Sequence, residues 1–201
     1  MNEKELENLT NYGISVETIN KIMNHLMCYL TKDVYDKVLF IHEIFSYAGF
    51  SDEQIDILIR QNISILDKKK FEIVKMACIL ENTGLVDEMF AKSYIKRILN
   101  YKRIFMRDLI IKKSNRETYP NGNSLARFLL SHDYKAYSSV YQIDIYQTTK
   151  SQANSDEELE WVLNKCLTYN GKPITVDECI NRSALIFYNK YKEKKMQGKK
   201  L

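Results

Sequence analysis

Glycine and proline are scarce in this chain. Six Gly and two Pro among 201 residues are too few for a turn-rich sandwich of short strands, so long helices are favoured. No apolar run approaches the roughly 20 residues that cross a bilayer. The opening "MNEKELENL" is unlike a secretory signal, so a cytoplasmic location and no membrane partner are expected. The four cysteines, Cys28, Cys78, Cys166 and Cys179, lie far apart without a C-x-x-C pair. His25, His42 and His132 do not complete a ligand set with them, and reduced thiols are expected. Phosphate-binding glycine loops, G-x-S-x-G and H-E-x-x-H are also missing. These absences point to a non-enzymatic protein with no cofactor and no metal.

Three short stretches that nearly repeat one another are present. "NYGISVETIN", "YAGFSDEQID" and "NTGLVDEMFA" place Gly13, Gly49 and Gly84 at intervals of 36 and 35 residues. Each glycine closes an apolar helical stretch and is followed by an apolar residue, Ile14, Phe50 or Leu85. A glycine taking a left-handed conformation, then a capped restart, accounts for this order. In the second copy Ser51 is the N-cap and Gln54 completes a capping box. Ser15 and Thr18 do the same more weakly in the first, and Val86 replaces the cap serine in the third. Ile55, Leu58, Ile59 and Ile63, like Ile19, Ile22, Met23 and Leu26, recur at helical spacing. Second helices, "DVYDKVLFIHEIFSYA" and "KKFEIVKMACILENT", lead to the next glycine. Two helices per period of about 35 residues predict an all-α, α-solenoid-like stack of helix pairs.

The second copy, "FIHEIFSYAGFSDEQIDILIRQNISILDKKKFEIVKMACILENTGL", resembles the repeat of the mitochondrial transcription termination factor family. It shares the order of hydrophobic helix, Gly-Phe-Ser, acidic-x-x-Ile and x-x-Ile-Leu; Leu66 ends the unit and Leu30 has the same offset in the first copy. The resemblance covers about residues 9–105. It implies a curved stack of helix pairs that often uses one face to hold nucleic acid.

The expected organisation is a helical-repeat domain over residues 1–114, with repeats near 11–46, 47–81 and 82–114. A loop follows at 115–123, where Pro120 and Gly122 stand among Asn residues. Residues 124–201 form a C-terminal helical region with a Lys-rich tail. "SLARFLLSHDY" reads as a short helix, and "KAYSSVYQIDIYQTTK" fits either period, with helix preferred because a lone strand lacks a partner. "NSDEELEWVLNKCL" starts a helix capped by Asn154 or Ser155, and Thr175 caps a last helix over about 176–191. "GKPITVDECINRSALIF" faintly resembles the earlier repeat starts.

Net charge is only +4, but it is unevenly spread. Residues 91–116 hold nine Lys or Arg against Asp108, and residues 189–201 hold six Lys against Glu193. Such segregation favours a polyanion on one side. On one regular helix, Lys92, Lys96, Arg103 and Arg107 would share about a 60° sector over about 22 Å, with Tyr94, Ile95, Ile98, Phe105 and Leu109 facing the core. The expected nucleic-acid contacts are Lys92, Lys96, Arg97, Lys102, Arg103, Arg107, Lys112 and Lys113, gripping backbone phosphates. The lysine tail is a lesser contributor. Tyrosines near basic residues suit stacking on unpaired bases. The alternative is a protein-interaction module, an adaptor or inhibitor that receives an acidic protein partner.

Overall fold

Apolar residues at helical spacing fold the described part of the first 81 residues into five α-helices. The computed structural model describes residues 3–26, 31–81, 94–108, 134–135, 137–138, 143–144, 155–166 and 168–198, and the chain is mostly helical. Helix α1 spans Glu3–Asn11, α2 Val16–Leu26, α3 Lys32–Tyr47, α4 Asp52–Gln61 and α5 Lys70–Glu81, with a 3-10 turn at Ile63–Asp67. Later come α6 (Asp156–Cys166) and the long α7 (Val176–Met196). Among the described residues no helix is long and apolar enough to cross a membrane.

The expected glycine stops exist at both described copies. After α1, the Gly13 N–H donates to the Thr10 carbonyl at 2.9 Å and the Ile14 N–H to the Leu9 carbonyl at 3.0 Å. After α3, the Gly49 N–H donates to Ser46 and the Phe50 N–H to Phe45, both at 3.0 Å. Both are Schellman endings, with Gly13 at φ +79° and Gly49 at +93°. The apolar residue after each glycine folds back on the helix it closes. Phe50 meets Phe45 edge to face at 5.3 Å, and Ile14 and Leu9 are both buried. Gly84 lies outside the described residues.

The restarts follow suit. Ser51 accepts from the Gln54 N–H while the Gln54 side chain accepts from the Ser51 N–H, a complete capping box. Ser15 Oγ accepts from the Thr18 N–H at 3.2 Å. A distant group strengthens this weaker cap: the buried Asp56 carboxylate accepts from the Ser15 N–H at 2.8 Å and the Ser15 hydroxyl at 3.1 Å. Helix α2 thus lies on α4, while α3 packs on α4 and α5. Ile19, Ile22, Ile41, Ile44, Ile55, Leu58, Ile59, Ile73 and Ile79 fill the core between them.

The chain divides into two compact units. The first comprises Met1–Glu81, Leu85–Leu99 and Phe187–Leu201, so the last turns of α7 belong with the N-terminal helices. There Tyr47 packs edge to face on Phe187 at 5.0 Å and on Tyr191 at 5.7 Å. The buried Asn62 amide donates to the carbonyls of Leu58 and Ile95, at 3.0 and 2.6 Å. The second unit comprises Asn82–Gly84 and Asn100–Ile186. The expected loop at 115–123 and the expected helix at 124–133 lie outside the described residues.

Within the second unit the preference for a helix after Tyr134 gives way to short ladders. Strand β1 (Tyr134–Lys135) pairs antiparallel with β4 (Thr168–Tyr169), which pairs with β5 (Lys172–Pro173). Strand β2 (Tyr137–Ser138) pairs with β3 (Ile143–Asp144). The partner that a lone strand would lack is supplied by the hairpin around "TYNGKP", more than thirty residues away, and local periodicity carries no record of it. Helix α6 runs as expected, and Thr175 caps α7, its hydroxyl accepting from the Glu178 N–H at 3.1 Å and the Glu178 carboxylate from the Thr175 N–H at 2.7 Å.

Candidate functional site

The basic segment is not one regular α-helix. Its hydrogen bonding passes from a 3-10 pattern at Tyr94–Asn100 to one α turn at Tyr101–Arg103 and a π pattern at Ile104–Asp108. No constant angle per residue runs through it, so the regular spacing assumed for Lys96, Arg103 and Arg107 does not apply. The core-facing half of the expectation holds, since Ile95, Ile98 and Phe105 are buried. Lys92, Lys112, Lys113 and Leu109 lie outside the described residues, and of Arg97 and Arg107 only the backbone is described.

In the second unit, acids occupy two of the expected contacts. Lys102 Nζ lies 2.7 Å from Glu160 Oε1 and 3.0 Å from Asp177 Oδ2. Burial works against this ammonium, but the hydrogen bonds to Glu160 and Asp177 outweigh it and hold its pKa above the ordinary lysine value. Arg103 Nε stands 3.7 Å from Asp156 Oδ2. Asp156 and Asp177 come from the first turns of α6 and α7, where they also suit the helix dipoles, and Glu160 from the next turn of α6. Lys96, in the first unit, is exposed and has no carboxylate within 4.0 Å among the described residues.

A different cationic surface forms in the first unit. Lys70, at the start of α5, sits over the Phe40 ring of α3 at 5.4 Å. Phe40 meets Tyr188 of α7 edge to face at 6.3 Å, and Lys192 sits over Tyr188 at 4.8 Å. One turn further, Lys194 covers Tyr47 at 5.3 Å and Lys195 covers Tyr191 at 5.9 Å. Burial pulls the Lys37 ammonium below the ordinary lysine value; Asp67 opposes this, and the like charge of Lys70 adds to it. Lys195 is neutralised by Glu43. Lys37, Lys70, Lys190 and Lys192 have no carboxylate within 4.0 Å among the described residues. Beside them a recess of about 480 Å³ is lined by Asn189, Lys192, Glu193, Lys195 and Met196.

Sequence reasoning gave the α7 lysines a minor part and missed Lys37 and Lys70. Lys70 stands in the run "DKKK", a local signal, but the packing of its ring, Phe40, on Tyr188 beneath Lys192 depends on the return of α7 to α3 and carries none.

Other polar groups are engaged internally. His42 Nε2 lies 2.9 Å from Asp52 Oδ1, with its ring edge to face with Tyr12 at 5.1 Å. His25 Nε2 lies 3.1 Å from Asp67. Cys78 and Cys179 are buried and form no disulfide among the described residues, and among those residues no group of three His, Cys, Asp or Glu could hold a metal. Comparisons with protein-family models, with curated proteins and with solved structures give no match.

Proposed function

We propose that this chain is a non-enzymatic helical-repeat protein that binds nucleic acid, gripping backbone phosphates through the lysine-rich end of α7 together with Lys70 and Lys37. One observation carries the reading: Lys70 and Lys192, over a hundred residues apart in sequence, lie over adjoining rings, Phe40 and Tyr188, without carboxylate partners among the described residues. Lysine ammoniums left uncompensated on a rigid surface release counterions when they meet successive phosphates, and this supplies sequence-independent affinity. The twice-formed unit of helix, glycine stop and capped restart supports the repeat architecture.

Fluorescence anisotropy with labelled single- and double-stranded DNA and RNA tests the reading. With three phosphates neutralised, affinity falls about 40-fold as salt rises from about 50 to about 200 mM. Lys70→Glu with Lys192→Glu removes binding at physiological salt while circular dichroism stays unchanged. Binding insensitive to both salt and the double substitution overturns the proposal. So does a protein partner that is captured after nuclease treatment and lost in the same variant.

A further inference from the structure

We infer that Arg182, stacked on Tyr169 beside Lys172 in the second unit, seats an unpaired base of a single-stranded nucleic acid; this rests on the nucleic-acid reading above.

The hairpin builds the floor of the site. Strands β4 and β5 are joined by Asn170 and Gly171, with φ of +49° and +74°, the positive pair that a two-residue primed turn requires. The register places Tyr169 directly opposite Lys172. Cross-strand partners project from the same face of a ribbon, so ring and ammonium stand side by side. Arg182, exposed on α7, lays its guanidinium carbon 3.8 Å from the Tyr169 ring centroid.

The charge around Arg182 makes this more than a structural stack. Among the described residues Arg60 is held by Glu17 and Asp56 and Arg103 by Asp156, whereas Arg182 has no carboxylate partner. The acids in the first turn of α7 are committed elsewhere: Glu178 accepts from the Thr175 N–H and hydroxyl, and Asp177 is paired with Lys102. A guanidinium is planar and weakly hydrated on its faces. Tyr169 covers one face and fixes its orientation, while the exposed side offers a second face to a flat partner and an N–H edge to an acceptor. Nucleobases stack on arginine planes in this way, and an ammonium alongside suits the neighbouring phosphate. A duplex must first unstack a base to use the site, so a single strand is favoured.

The test separates stacking from charge. Anisotropy is measured with a single strand, a duplex of the same sequence, and a single strand in which bases are replaced by abasic sugars. Arg182→Ala and Arg182→Lys each weaken binding of the single strand about 5- to 10-fold. Neither changes binding of the abasic strand by a comparable factor. Arg182→Lys keeps the charge, so its salt slope stays that of the unsubstituted chain although its affinity falls. An Arg182→Lys protein that binds like the unsubstituted chain overturns the inference, as does an equal loss on all three probes. If Lys70→Glu with Lys192→Glu abolishes binding while Arg182→Lys changes nothing, the nucleic-acid reading stands and this inference alone fails. If the unsubstituted chain binds none of the probes, both fall.

Discussion

Gly13 is constrained twice and Gly49 once. Both take positive φ, where an L side chain costs about 1–2 kcal/mol, but a Cβ on Gly13 would lie 2.6 Å from Asp52 Cβ while one on Gly49 meets nothing within 4 Å. Asp52 is not free to retreat, since its carboxylate contacts His42. Gly49→Ala therefore lowers unfolding free energy by about 1–2 kcal/mol, and Gly13→Ala by about 3 kcal/mol once the overlap is added. Urea unfolding of the pair decides this, and equal losses would show that α4 yields at Asp52. Tyr191 supplies a second prediction at this scale. Its hydroxyl donates to the Glu43 carboxylate at 2.6 Å, and burial, then that hydrogen bond, push the phenol well above its ordinary pKa. A folded-state pKa raised above the unfolded one gives stability that is present below about pH 10 and lost as the pH rises beyond it. Urea midpoints should fall between about pH 8 and about pH 10.5, and Tyr191→Phe should flatten that fall. A variant with an unchanged slope would place the alkaline loss elsewhere.

For whole elements, what could be read in advance follows the range of the interactions that make them. The Schellman stops and the Ser51–Gln54 box involve residues within six positions of one another, so their chemistry is visible in ten letters of sequence. Ser51→Ala should cost about 1 kcal/mol, by loss of one hydrogen bond to an otherwise unpaired helix N–H. Urea unfolding reads the loss, and no change would mean that water replaces the hydroxyl fully. The Asp56 clasp on α2 spans 41 residues and left no local trace. Asp56→Ala should cost about 2 kcal/mol because it removes the charged acceptor of two hydrogen bonds and leaves the Ser15 N–H and hydroxyl without it, and the same measurement checks it. The ladder of β1 on β4 was hidden for the same reason, since its residues are matched across the chain rather than along it. Residues 94–108 failed differently. Ile95, Ile98 and Phe105 were rightly assigned to the core, but periodicity at 100° per residue cannot report that hydrogen bonding tightens to a 3-10 pattern and then loosens to a π pattern.

At the scale of the molecule, charge segregated along the chain is partly mixed in space among the described residues. The basic stretch and the acid-rich starts of α6 and α7 are far apart in sequence, yet folding of the second unit brings Lys102 against Glu160 and Asp177, and Arg103 against Asp156. Coulomb attraction makes that mixing the expected outcome wherever opposite blocks share one compact unit, so a linear run of cations overstates what a polyanion can meet. In the first unit Lys192 of α7 sits instead over Tyr188 of the same helix, and Lys194 over Tyr47 of α3, rings that hold them without neutralising them. Lys102→Gln and Lys192→Gln remove the same charge from the same net total and separate the two situations. Lys192→Gln should weaken nucleic-acid binding about 5- to 10-fold near 100 mM salt and lower the salt slope by about 1, as expected for one lost phosphate contact. Lys102→Gln should leave affinity within about twofold and the slope unchanged, because its ammonium is already satisfied by two carboxylates. Should the two variants behave alike in the anisotropy titration, nucleic acid would be responding to total charge, and the aromatic strip would have no special part in holding it.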